Sequence, residues 1–352
     1  MEKIADYLQR AVEGGASDIF IVSGSPVCAK MEKRLRPVGE EPLFPQHTHQ
    51  LIADLYKLAG RPMERFQQEG DDDFSCAVPG LARFRVNAYR QRGSMAAVVR
   101  VVAFDIPSWE GLRIPKQVMD LANLGHGMVL VTGTAGSGKS TTQACIIDQI
   151  NRTREAHIIT LEDPIEYLHR NKKSIVSQRE MAIDTSDYLM ALRACLRQAP
   201  DVMLVGELRD HETIRTAMTA AETGHLLIAT LHTKGAVNTI DRIVDSFPSG
   251  QQGQVRVQLA MVLQAVVSQQ LLPDKSGGLV PAFEVMHMNS AIRSMIRDSK
   301  THQIDSAIAA GGAEGMVTMD QYILKLYQQG LVDKEAALDS ADNPEQMKRR
   351  LG

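Results

Sequence analysis

The chain has 352 residues, 44% of them apolar, with a formal net charge of −3. That length exceeds what one hydrophobic core ordinarily holds, so two domains are expected, and the slight acidity excludes a general electrostatic attraction to nucleic acid. The four cysteines (Cys28, Cys76, Cys145, Cys195) form no Cys-x-x-Cys pair, which argues against a zinc site or a disulfide framework and fits a reducing compartment.

Residues 1–15 place Ile4, Leu8 and Val12 on one stripe, which predicts an amphipathic helix in place of a signal peptide. "SDIFIVSGSP" reads as a short strand broken by Gly24 and Pro26, and "HTHQLIADLYKLA" as a helix. "RFRVNAYRQRGSMAAVVRVV" reads as two strands joined at Gly93. These pieces show no βαβ rhythm and predict a small α+β domain over residues 1–104. "FDIPSWEGLRIPK", with two prolines and a glycine, is the expected linker, ending at 116.

From 117 to 352 the rhythm changes. Strands are expected at 128–133, 157–161, 201–205 and 225–231, alternating with helices at 139–151, 186–199 and 209–222. That is the pattern of a largely parallel, doubly wound α/β sheet. From about 251 onward the chain reads as mainly helical, with one strand near 280–286. No stretch approaches the roughly 20 apolar residues of a membrane-spanning helix, so a cytoplasmic protein is expected, one still able to dock at a membrane.

Gly133-Thr134-Ala135-Gly136-Ser137-Gly138-Lys139-Ser140 matches G-x-x-x-x-G-K-[ST] between an expected strand and an expected helix. Glycines there let backbone amides turn inward around phosphate oxygens, and the helix start adds its positive end. Lys139 is expected on the β- and γ-phosphates and Ser140 on Mg²⁺. Nucleoside triphosphate binding follows.

Hydrolysis also needs an aligned water and an acceptor for its proton. Glu162, in "LEDPIEY", and Glu207, after "VMLVG", both follow strands, and ligands of such sheets lie at strand carboxyl ends. Two readings stand for each: a catalytic acid, or a local cap. Glu162, Asp163 and Glu166 would cap a turn fixed by Pro164, and Glu207 the helix near Arg209. Gly206 stands where a magnesium-handling aspartate is usual. His225 and His232 bracket the strand of "TGHLLIATLHT"; seven strand residues span roughly 23 Å, so the two share no metal. His232 falls at the carboxyl end, where a γ-phosphate is sensed, and His225 at the other. In the first domain Arg83 and Arg85 share a strand face opposite Phe84 and Val86. They are either a solvated basic face or arginines offered to a neighbouring subunit's phosphate site.

The ordered set GTAGSGKST, IITLEDPIEY, APDVMLVGELRDHETI and TGHLLIATLHTKGAVNTIDRI resembles the Walker A, Asp box, atypical Walker B and His box of the type II/IV secretion ATPase superfamily. "AIRSMIRDSK" (291–300), "GGASDIFIVSGSPV" and "RFRVNAYRQRGS" are similar to its type IV pilus retraction ATPase branch. Thr134-Ala135 depart from the common Pro-Thr, and Ser294, Met295 and Asp298 from the common Asn, Leu and Glu.

The resemblance implies an N-terminal PAS-like domain, a RecA-like ATPase domain and a homohexameric ring. It implies ATP and Mg²⁺ as ligands, an inner-membrane pilus platform protein as partner, and a place at the cytoplasmic face of the inner membrane. Within it, Glu207 is the general base and Glu162 the Asp-box residue. His232 and His225 form the His-box pair, Thr141 extends the phosphate loop, and Arg85 and Arg100 are the arginine contacts. The sibling assembly and type II secretion ATPases carry longer N-terminal regions and a four-cysteine zinc element, and an accessory retraction paralogue is a further alternative. A nucleic-acid translocase would need a basic or aromatic tract, yet only 5% of residues are aromatic. A non-hydrolysing scaffold would leave the acids idle.

Overall fold

A computed structural model describes residues 3–31, 34–102 and 106–352. The described chain falls into two units, one within 3–102 together with Glu166–Leu168, the other formed by 106–165 and 169–352. No helix among the described residues is long and apolar enough to cross a membrane.

The first unit runs α1 (Ile4–Glu13), β1 (Asp18–Ile21), β2 (Cys28–Met31), β3 (Arg34–Pro37), α2 (Pro45–Leu58), α3 (Glu64–Glu69), β4 (Asp71–Val78), β5 (Ala82–Gln91) and β6 (Ser94–Val102). Its strands form one antiparallel sheet in the order β3-β2-β1-β6-β5-β4. Along β5, Phe84, Val86 and Ala88 are buried while Arg83 and Arg85 are not, the alternation that one covered face demands. Arg92 and Gly93, both at positive φ (48° and 78°), make the two-residue hairpin turn to β6. α1 and α2 seal the inner face with Leu8, Leu51, Ile52 and Leu55, each worth about 1.5–3 kcal/mol of burial. β2, β3, β4 and α3 were not anticipated by the sequence pattern.

The second unit runs α4 (Lys116–Met119), β7 (Gly127–Thr132), α5 (Lys139–Thr153), β8 (His157–Glu162), β9 (Ile175–Glu180), α6 (Tyr188–Cys195), β10 (Val202–Val205), α7 (His211–Glu222), β11 (Leu226–Leu231), α8 (Ala236–Asp245), α9 (Ser249–Val262), β12 (Leu263–Pro273) and β13 (Leu279–His287). Helices α10 (Ser290–Arg297), α11 (Ile304–Ala310), α12 (Met319–Gln328), α13 (Lys334–Ser340) and α14 (Pro344–Leu351) follow. The sheet order is β13-β12-β7-β11-β10-β8-β9, parallel except for β13. Both faces are covered. On β7, Met128 and Leu130 face one core with α6, α7 and α9, and Val129 and Val131 face the other with α4 and α5. This is the doubly wound α/β arrangement expected.

The expected helix at 186–199 is shorter, Tyr188–Cys195, because Asp187 caps it by accepting the Met190 N–H. From 251 onward the chain is mainly helical, as expected, but the expectation of one strand is corrected: β12 is an 11-residue strand between β7 and β13, so two strands stand where one was expected. Of the expected linker, 104 and 105 lie outside the described residues. Beyond them Ile114 is buried, and Ile106, Trp109 and Leu112 pack on the core of α4, α5 and β7.

Candidate functional site

The phosphate loop begins where β7 ends. Gly133 has φ 142°, and a Cβ there would lie 2.3 Å from the Gln269 carbonyl oxygen and 2.7 Å from Ser137 Oγ. Gly138, which precedes α5, has φ 88°, and a Cβ there would lie 2.7 Å from Gln269 Nε2. Both positions need glycine for conformation and for space. Lys139, 8% exposed, donates from Nζ to the Gly133 carbonyl at 2.9 Å and to the Thr134 carbonyl at 2.8 Å. Ser137 Oγ is buried without a hydrogen-bond partner among the described residues. Ser140 and Thr141 occupy the first turn of α5, whose leading amides are the natural partners of an anion. Beside the loop, a cavity of about 400 Å³ is lined by Arg113, Gly138, Thr141, Thr142 and Leu279, within the range of small-ligand pockets.

The acids stand at neighbouring strand ends. Glu207 follows β10; its Oε2 accepts from Arg209 Nε at 2.8 Å, and its Oε1 lies 3.6 Å from Nε2 of His232, just after β11. The two guanidinium and imidazole neighbours hold the carboxylate over the sheet, 21% exposed, and Glu207 in turn raises the pKa of Arg209. Glu207 is not the cap of α7. Asp210 takes that role, accepting from Glu212 N–H at 3.0 Å and Thr213 N–H at 2.9 Å. A cavity of about 350 Å³ opens beside Glu207, Arg209, His232 and Arg242. Glu162 ends β8, next to β10, and its Oε1 accepts from Thr160 Oγ1 at 2.6 Å and Gln178 Nε2 at 3.1 Å.

Gly206 has a spatial reason. A Cβ there would lie 2.7 Å from the Tyr188 hydroxyl and 3.1 Å from the Leu161 carbonyl oxygen, so the tyrosine fills the place of an aspartate side chain. Burial raises the Tyr188 pKa, and the carboxylates of Asp163, Glu207 and Glu162 add to the effect while Arg209 opposes it. The phenol therefore stays protonated beside the acids.

The structure thus brings together the phosphate loop, Lys139, Ser140, Glu207 and His232 at the carboxyl ends of one parallel sheet, with Glu162 on the adjoining strand. It does not bring His225 there. That residue precedes β11 at the opposite end of the sheet, with Nδ1 2.9 Å from the Ala220 carbonyl oxygen, where it closes the end of α7. This is the opposite strand end expected for His225, so the expectation of His225 as a nucleotide contact is corrected: it does not hold for its own subunit's loop. In the first unit Arg85 and Arg100 face each other across β5 and β6, and Arg100 Nε donates to Asp18 at 2.9 Å from a side chain 62% exposed. Sequence reasoning missed Arg209, Tyr188 and Gln269. Arg209 carried a signal, a base two residues from the expected acid; the other two are far from the loop in sequence.

Residues 1–304 match the family described as type II/IV secretion system protein. The chain is 43% identical over 342 residues to the type IV pilus retraction ATPase PilT of Pseudomonas aeruginosa, covering 97% of this chain and 99% of that one. It is 50% identical over 283 residues to a twitching motility protein of Neisseria gonorrhoeae, covering 80% of this chain and 76% of that one. The crystal structure of the pilus retraction motor PilT with bound ADP superposes with a TM-score of 0.91 at 44% identity, over 99% of this chain and 100% of that one. The X-ray structure of the Legionella pneumophila ATPase DotB gives 0.80 at 27% identity, over 94% and 93%.

Proposed function

The chain belongs to the type II/IV secretion system protein family, and on that premise we propose that it is an ATPase motor that drives type IV pilus retraction by disassembling the pilus. The observation that supports this best is the Glu207–His232 pair, 3.6 Å apart, at strand ends beside a phosphate loop that tolerates only glycine at 133 and 138. In this reading the loop amides and Lys139 hold the β- and γ-phosphates of ATP, and the 400 Å³ cavity takes the nucleoside. Glu207 accepts the proton of the attacking water while His232 contacts the γ-phosphate. Glu162 steadies the water from the neighbouring strand. The side chains proposed to surround the triphosphate, the Ser140 hydroxyl and the Glu162 and Glu207 carboxylates, all offer oxygen, the kind of donor magnesium takes. Ser140 would hold the ion, which when bound neutralises charge developing on the phosphate oxygens.

In this proposal residues 1–104 form the PAS-like domain, 105–116 the linker and 117–352 the RecA-like ATPase domain. The chain works as a homohexamer at the cytoplasmic face of the inner membrane, on the pilus platform protein. A strain lacking the chain should keep pili and accumulate unretracted ones; loss of pili would point to assembly and overturn retraction. Arg85 and Arg100 are proposed to reach a neighbouring subunit's triphosphate. Arg85→Ala or Arg100→Ala is then expected to lower kcat at least about tenfold with ADP affinity retained. Full turnover by both variants, or by wild-type protein diluted to monomer, would count against arginines acting between subunits.

A further inference from the structure

Three buried polar residues lie in one row across adjacent strands: Ser268 of β12 is opposite Thr132 of β7 on one side and Glu284 of β13 on the other. Residues so paired share a face of the sheet. Two of them reach the segment that follows His232. Ser268 Oγ accepts the Gly235 N–H at 2.9 Å, and Glu284 Oε1 accepts the Ala236 N–H at 2.8 Å. These amides open α8, where a carboxylate also meets the positive end of the helix. Thr239 ties the same segment from within, donating to the Gly235 carbonyl at 2.7 Å and lying 2.7 Å from Thr233 Oγ1.

One step along β12, Gln269 points to the other face and meets the other loop. Its Oε1 accepts from Thr142 Oγ1 at 2.7 Å, and its Nε2 and main-chain oxygen fill the spaces that Cβ atoms at Gly138 and Gly133 would occupy. Two consecutive residues therefore grip two different loops from opposite faces of one strand.

We infer that Ser268 and Glu284 are positioning residues for His232, and that Gln269 is the positioning residue for the phosphate loop, so that β12 sets the two halves of the nucleotide site against each other. Glu284 is kept at a cost. Burial pushes its carboxyl up to about 7; the Asp342 and Asp305 carboxylates add to this, and the amides of Ala236 and Met319 oppose it. A buried acid held against helix amides beside a reactive loop is the arrangement that function maintains in place of a cheaper apolar residue.

The inference rests on the proposed ATPase reading and divides kinetically from it. Gln269→Ala is expected to raise the Kd for ADP about tenfold or more, measured by calorimetry. Ser268→Ala and Glu284→Leu are expected to lower kcat about tenfold with the ADP Kd within about twofold. Ser268→Thr and Glu284→Gln, which keep the acceptor, should restore turnover. The inference is overturned if the kcat losses come with equal losses of ADP affinity, if Gln269→Ala binds ADP like wild type, or if the variants change only the melting temperature. A wild-type protein without ATPase activity would fail the proposed function, whereas the ADP arm would still decide the role of Gln269.

Discussion

Glu207→Gln is expected to bind ATP and ADP within about threefold of wild type while kcat falls about 10²–10⁴-fold, the range a general base supplies. The change removes a proton acceptor and little else. The glutamine carbonyl can still accept from Arg209, now 2.8 Å from the carboxylate, and the side chain keeps its length and its place over the sheet. The lost Glu207–Arg209 ion pair is half open to solvent on the arginine side, so its loss costs at most about 1 kcal/mol of stability. Gly206 sharpens the test. With the Tyr188 hydroxyl in the space an aspartate would fill, no carboxylate precedes Glu207 on the strand to take over the proton. Single-turnover hydrolysis alongside equilibrium binding separates the steps. Turnover within tenfold of wild type would remove Glu207 from the chemistry and return it to the role of a loop acid.

The elements that position the phosphate loop were legible because they obey strong local rules. β7 is an apolar run followed at once by Gly133, and α5 starts at the lysine of a known spacing. β12 was not legible. It lies between two strands, with both faces covered, so "LQAVVSQQLLP" shows no period of two, and α9 passes into it between Val262 and Leu263 without a glycine or proline. β4 was hidden differently. Its burial alternates, but one inward position is Asp72, a charge that reads as surface. The fold accommodates it with the Tyr56 hydroxyl at 3.0 Å and Arg61 at 3.2 Å, contacts that only the tertiary structure supplies. The site divides in the same way. Glu207 and His232 were marked by their place after strands, whereas Tyr188 acts through the gap left by Gly206. The separation of His225 from His232 was legible too, because a strand between them puts the two at opposite ends of the sheet.

Lys139→Met should show the opposite pattern to Glu207→Gln: nucleotide binding lost, fold intact. Lys139 is 8% exposed, and its ammonium donates to the carbonyl oxygens of Gly133 and Thr134 within its own loop. Replacing it with an apolar chain of similar length keeps the buried stem packed, so the melting temperature of the nucleotide-free protein is expected to change little. Binding of the triphosphate is where the charge counts. One unit charge about 4 Å from a phosphate oxygen contributes about 4 kcal/mol at an effective dielectric near 20, which corresponds to a loss of about 10³ in ATP affinity. Calorimetry with ATP and thermal unfolding without it read the two effects separately. A variant that melts normally and binds ATP within tenfold of wild type would show that the loop amides and the start of α5 carry the phosphates unaided, and would reduce Lys139 to a brace for its own loop. If binding instead falls as expected, Glu207→Gln and Lys139→Met together divide the site into a half that holds the phosphates and a half that moves the proton, and the boundary between them runs along β11.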